Sequence, residues 1–163
     1  MTKEDFKYLF DTYFDSVRGY LYYRGAGPDD ASDIAQEVFM RLWEKQFEVD
    51  KTTAKRLLYK IAGDMFVSKY RRDVLEMNYI ASIRYYGNEP STEDTLSHKE
   101  LLEKYKIALN SLNEKQRAVF LMSRIEGLKY WEIAERLGLS VKAVEKRMSA
   151  ALQFLKKSLL SNQ

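Results

Sequence analysis

The sequence predicts an all-α fold made of two small helical domains joined by a polar linker. Three observations carry that expectation. Only two prolines and seven glycines interrupt 163 residues. Apolar positions recur at spacings of three and four along most of the chain, the signature of helices with one buried face. No apolar–polar alternation bounded by turn residues marks a strand. With 45% hydrophobic residues the chain can bury cores and is not compositionally disordered. The domains are expected at residues 1–80 and 99–163, with residues 81–98 between them.

The first helix is "KEDFKYLFDTYFDSVRGYLYYRG", in which Phe6, Phe10, Tyr13, Val17 and Tyr20 share a face and Gly25 with Gly27-Pro28 ends the run. Asp29 or Asp30 is expected to cap "ASDIAQEVFMRLWEK", where Ile34, Val38 and Leu42 form a core stripe beside Phe39 and Trp43. A polar loop, "QFEVDKT", leads to "AKRLLYKIAGDMFVSKYRR", with Leu58, Ile61, Ala62 and Met65 inward. Three or four such helices suffice for one bundle. The segment "VLEMNYIASI" fits either a helix or a strip lying against a partner, whereas "YYGNEPSTEDTLSHKE" is polar, mostly acidic and broken by Gly and Pro, as a linker is. From about Lys99 the helices "LLEKYKIALNSL" and "EKQRAVFLMSRIEG" follow, and Ser111 or Asn113 can cap the second, with Glu114 or Gln116 three residues on.

The stretch "YWEIAERLGLSVKAVEKRM" is the most informative. Ile133, Ala134 and Leu137 fall on one helical face, Gly138 supplies a left-handed C-cap, and Ser140 can N-cap the next helix. Val141, Val144, Met148, Ala151, Leu152 and Leu155 continue as an apolar stripe, while Lys142, Lys146, Ser149 and Gln153 project on the opposite face, flanked by Ala143 and Ala150. A short helix, a tight glycine turn and a helix with basic and small residues outward describe a helix-turn-helix, whose second helix fits the DNA major groove. The same pattern also fits an ordinary αα-hairpin with solvated lysines.

Charge placement says more than the net value of +3. Residues 1–50 balance to −5, residues 51–72 to +6, residues 73–98 to −4 and residues 99–163 to +6. Two basic islands between acidic segments point to two contacts with a polyanion. The first island interleaves Lys55, Arg56, Lys60, Lys69, Arg71 and Arg72 with Tyr59, Phe66 and Tyr70. Cations for phosphates and aromatic faces for unstacked bases suit single-strand capture, although aromatic residues at helical spacing, as Tyr59 and Phe66 are, more often belong to a core. There is no cysteine, so no disulfide, thiolate nucleophile or zinc–thiolate site is available, and His98 lies in a polar stretch. No metal-ligand cluster, glycine-rich phosphate loop or nucleophile–base pairing appears, so neither catalysis nor a cofactor is expected. Without a signal peptide or an 18-residue apolar run, the chain is expected in the cytoplasm.

Four blocks carry a resemblance: "DASDIAQEVFMRLWEK" (30–45), "LLYKIAGDMFVSKYRR" (57–72), "LNEKQRAVFLMSRIEGLKYWEIAERLGLS" (112–140) and "AVEKRMSAALQFLKKSL" (143–159). In this order they resemble the group-IV, extracytoplasmic-function (ECF) sigma factors of bacterial RNA polymerase, with their σ2 and σ4 helical domains. The resemblance implies that Asp33, Gln36 and Glu37 contact the β′ clamp helices of core polymerase, and that the β subunit is a further partner. It implies that residues 46–72, with Arg56, Tyr59, Lys60, Asp64, Lys69, Arg71 and Arg72, engage the −10 promoter element. Ser140, Lys142, Ala143, Lys146, Arg147 and Ser149 would meet the −35 element. It also implies an anti-sigma protein, often membrane-anchored in the family. Asp64 and Ser68 depart from the family's usual Asn and Asp, and Asn113 replaces a usual Pro. A carboxylate at 64 repels phosphates and cannot donate to a base as an amide can. The rival readings are a stand-alone helix-turn-helix regulator with an N-terminal sensing domain, and a helical adaptor without a nucleic-acid role.

Overall fold

The computed structural model describes residues 1–46, 48, 50–70 and 95–160, and these contain seven helices and no strand. They are α1 (Lys3–Arg24), α2 (Pro28–Glu44), α3 (Lys51–Tyr70), α4 (Thr95–Ser111), α5 (Glu114–Arg124), α6 (Tyr130–Leu137) and α7 (Val141–Leu160). Helix α4 begins at Thr95, four residues inside the segment expected to be linker, and the rest of that segment with "VLEMNYIASI" lies outside the described residues. No helix among the described residues is long and apolar enough to cross a membrane.

Helices α1, α2 and α3 pack together as the first bundle. Its α1 opens with a capping box between Thr2 and Asp5 and closes at Gly25, whose φ of 119° is left-handed. The inward face of α1 is Leu9, Val17, Tyr20 and Leu21, whereas Phe10, expected inside, is 38% exposed. Phe10 instead stacks on Phe14 and meets the edge of Phe39, in an aromatic strip that Phe6 and Trp43 extend. The expected cap at Asp29 or Asp30 is also corrected. Gly27 is the N-cap of α2, Pro28 occupies the first turn, and both aspartates sit where they favour the helix dipole. Ile34, Val38, Phe39 and Leu42 are buried as the spacing predicts.

In the second bundle α5 and α4 pack on α7, and α6 packs across α7 and α5. Asn113 caps α5 by accepting from the Lys115 amide, while the Ser111 hydroxyl bonds back to the Ile107 carbonyl. Gly138 (φ 67°) turns the chain between α6 and α7, and the Ser140 hydroxyl accepts from the Ala143 amide at 3.1 Å. Val144, Met148, Ala151 and Leu155 are buried, but Val141 and Leu152, expected in the same stripe, are 41% and 49% exposed.

The two bundles are joined by contacts of α5 with α1 and of α6 with α3. Arg117 of α5, 5% exposed, donates through Nε to the Tyr23 carbonyl and through Nη2 to the Arg24 carbonyl, both at 2.8 Å. Its Nη1 reaches the carbonyls of Leu109 and Leu112 at the end of α4. One guanidinium thus satisfies carbonyls that two helix C-termini leave without intrahelical donors. Arg24, 4% exposed, pairs with Glu114 at 2.6 Å and lies 4.6 Å from the centroid of the Phe66 ring.

Candidate nucleic-acid and partner interfaces

Asp33, Gln36 and Glu37 all lie on the exposed face of α2, opposite the buried stripe of Ile34, Val38 and Phe39. Glu37 pairs with Arg41 one turn on at 3.0 Å, an exposed contact of small energetic weight. Met40, which the sequence reading passed over, is 58% exposed near the same face. Its only sequence signal is an apolar residue out of phase with the core stripe.

Asp33, Glu37 and Arg41 share a cleft of about 370 Å³ with Asp64, Ser68 and Lys69 of α3. Asp64 and Ser68 therefore face the acidic edge of α2. Lys69 pairs with Asp30 at 3.0 Å, and the Tyr70 hydroxyl also donates to Asp30. The hydrogen bond from Tyr70, and after it that from Lys69, hold the Asp30 carboxyl below its ordinary range.

The basic residues of α3 do not form one open surface. Lys60, Asp64 and Lys69 are exposed, and Arg71 and Arg72 lie outside the described residues. Arg56 is exposed, with its aliphatic stem beside the α6–α7 turn: a Cβ at Gly138 would stand 3.5 Å from Arg56 Cδ. Lys55 pairs with Glu135 of α6 at 2.9 Å.

Tyr59, expected at the −10 element, is buried beneath α6. Its ring is 2% exposed, meets Tyr20 edge-on and accepts a hydrogen bond at its hydroxyl from Arg136 at 3.2 Å. Burial, partly offset by the Arg136 charge, pushes its hydroxyl far above the usual tyrosine range. Phe66 is likewise core at 2% exposed, so both of these aromatic residues resolve toward packing in this arrangement. Neighbouring Glu126 accepts from Ser16 at 2.9 Å, lies 3.7 Å from Arg136, and leaves Oε2 buried without a partner.

The outward face of α7 is open. Lys142, Lys146 and Ser149 are exposed and form no ion pair or side-chain hydrogen bond among the described residues; Ala143 and Arg147 are half-exposed at its edges. Ser140 is exposed and spends its hydroxyl on the cap. Glu145, absent from the sequence-based list, lines the same shallow depression as Lys142, Lys146, Ser149 and Gln153. A cationic, unpartnered helix face behind a glycine turn can meet phosphates and base edges in a groove.

Comparison with known proteins gives the two bundles a common context. The family model "Sigma-70 region 2" matches residues 9–75, and "Sigma-70, region 4" matches residues 102–155. The ferric citrate uptake sigma factor FecI of Escherichia coli is 32% identical over 150 residues, spanning 91% of this chain and 87% of FecI. The RNA polymerase sigma factor YlaC of Bacillus subtilis is 27% identical, over 95% of this chain and 92% of YlaC. Among solved structures, the fold matches the sigma factor RpoE in its complex with the anti-sigma factor NepR from Bartonella quintana. That match has a TM-score of 0.60 and 23% identity, over 98% of this chain and 99% of RpoE. A helical pair of bundles, a helix-turn-helix with an open basic face and these similarities agree: the chain belongs to the ECF sigma factors of the sigma-70 family.

Proposed function

We propose that this chain directs promoter-specific initiation by dividing three contacts among three helices. Helix α2 docks on the β′ clamp helices of core RNA polymerase through Asp33, Gln36 and Glu37, which share one exposed face. Helix α3 serves the −10 element through Arg56, Lys60 and Lys69, together with Arg71 and Arg72 of the sequence that follows it, and α7 serves the −35 element through Lys142, Lys146 and Ser149, with Ala143 and Arg147 beside them. The observation that carries the reading is the open face of α7, because its cations have no internal partner to explain them. Lys55 and Tyr59 are covered by α6, so any −10 contact through them requires α6 to move away from α3.

The −10 contacts belong to the unit 1–80 and the −35 contacts to the unit 99–163, which α4 extends back to Thr95, with the residues between as linker. The chain acts in the cytoplasm, where core polymerase and promoter DNA are met, and contacts the β subunit as well as β′. An anti-sigma protein, in the manner of the NepR complex, is the expected regulator. The test is transcription in vitro from a promoter library with purified core polymerase and this chain. Start sites sharing an upstream and a downstream element support the reading. Binding to duplex DNA as a dimer, with no effect on polymerase, supports a stand-alone regulator instead.

A further inference from the structure

Glu145 stands on the open face of α7 without an internal partner: it forms no ion pair or hydrogen bond among the described residues. It is the fifth residue of α7, beyond the first turn where the helix dipole favours an acid. One turn away stand Val141 and Ser149, neither a cation, and Lys142 three residues before it is left unpaired with it. Yet it shares its depression with Lys142, Lys146 and Ser149, the residues assigned above to the −35 element.

A carboxylate on a helix that enters a groove is repelled by phosphates, and a donor on a base edge offsets that repulsion. The major-groove edges of guanine offer only acceptors, and thymine offers an acceptor and a methyl group. Adenine pairs its N6 donor with an adjacent N7 acceptor, which repels a carboxylate. Cytosine presents the N4 amino group alone, the donor that Glu and Asp accept from. We infer that Glu145 is a specificity-determining residue that accepts from a cytosine N4 in the −35 element. At least one of Lys142 and Lys146 offsets its repulsion by meeting a flanking phosphate. The inference rests on the promoter-directing function proposed above.

The test uses holoenzyme assembled from core polymerase and the full chain, on promoters randomised across the upstream element. At one position the wild type should favour cytosine, on one strand or the other, about 5-fold or more over guanine and thymine. Glu145→Ala should flatten that position and leave the others intact. Glu145→Gln should turn the preference toward adenine, because an amide both accepts from N6 and donates to N7. If Glu145→Ala instead raises initiation from all promoters by one common factor, with the base preference kept, the carboxylate only repels and the inference is overturned. Failure of the wild type to initiate from any promoter overturns the promoter-directing function, and this inference with it.

Discussion

Arg136 and Tyr59 meet across the junction of the two bundles: the guanidinium carbon stands 5.9 Å from the ring centroid while Nη1 donates to the hydroxyl. The same nitrogen lies within 3.4 Å of the Ser16 hydroxyl and 3.7 Å of Glu126. One side chain of α6 therefore holds α3, α1 and the start of the α5–α6 loop together. Its removal leaves Glu126 buried beside no cation. Arg136→Ala should lower stability by about 1–3 kcal/mol, and Tyr59→Phe by about 0.5–1.5 kcal/mol, because it deletes one neutral partner and keeps the ring. Urea denaturation of both variants measures this. Equal stability in Arg136→Ala would show that these Arg136 contacts add nothing to the folded chain.

Glu126 should make that junction sensitive to pH. Burial raises its pKa above the ordinary value of 4.5, against the opposing Ser16 hydrogen bond and the Arg136 charge. A raised acid favours folding below its unfolded pKa, and that contribution is lost as pH rises through the folded value. Glu126→Gln keeps an acceptor for Ser16 and removes the charge. Melting temperatures of variant and wild type should therefore coincide near pH 4 and diverge toward neutrality, with the variant higher. Asp5, Asp30 and Asp50 carry lowered pKa values and impose the opposite slope, but on both proteins alike. A variant that melts lower at neutral pH would mean that the Arg136 pair outweighs the burial of Glu126.

Docking on polymerase should separate cleanly from stability. Gln36 and Glu37 are exposed, and the pair of Glu37 with Arg41 is worth a few tenths of a kcal/mol at most. Gln36→Ala combined with Glu37→Lys should keep the melting free energy within about 0.5 kcal/mol of wild type. Its affinity for core polymerase should fall, through loss of complementary charge and through k-on most of all. A titration in which the double variant binds core as the wild type does would remove this face of α2 from the interface.

The helix-turn-helix was legible in the sequence because its determinants are local. Gly138 and Ser140 act on backbone within a few residues, and the 3.6-residue period does the rest. Tyr59 was legible only as one of two alternatives, core or base-facing. Helix α3 packs against α1 and α2 on one side and α6 on another, so residues off its main stripe are also buried, and periodicity sees only one face. Arg117 was missed for a related reason, since its carbonyl partners at Tyr23 and Arg24 are 94 and 93 residues away. One signal did exist: Arg117 opens a run in which Ala118 to Met122 are all buried. A cation that opens a fully buried run must find buried acceptors. Phe10, Val141 and Leu152 show the opposite failure, apolar residues in phase with a stripe that the neighbouring helices are too narrow to cover.

The open face of α7 allows the two kinds of DNA contact to be told apart. Lys142 and Lys146 are exposed, unpartnered and set near the Ser140-capped end of the helix, the end that reaches base edges when such a helix enters the major groove. If a lysine meets a base, its replacement by Ala should relax preference at one −35 position, by about 1–3 kcal/mol for a good contact. If it meets phosphate, binding should weaken alike on all sequences, and the salt slope should fall by about one. Lysine is a flexible point charge without the planar fork that arginine uses on guanine, so the phosphate outcome is expected for at least one of the two. Arg147, half-exposed at the edge of the face, should behave as a backbone contact. Measuring Lys142→Ala and Lys146→Ala across a −35 library at two salt concentrations reads both signatures at once. Wild-type affinity, preference and salt slope in both variants would mean that this face of α7 touches something other than DNA.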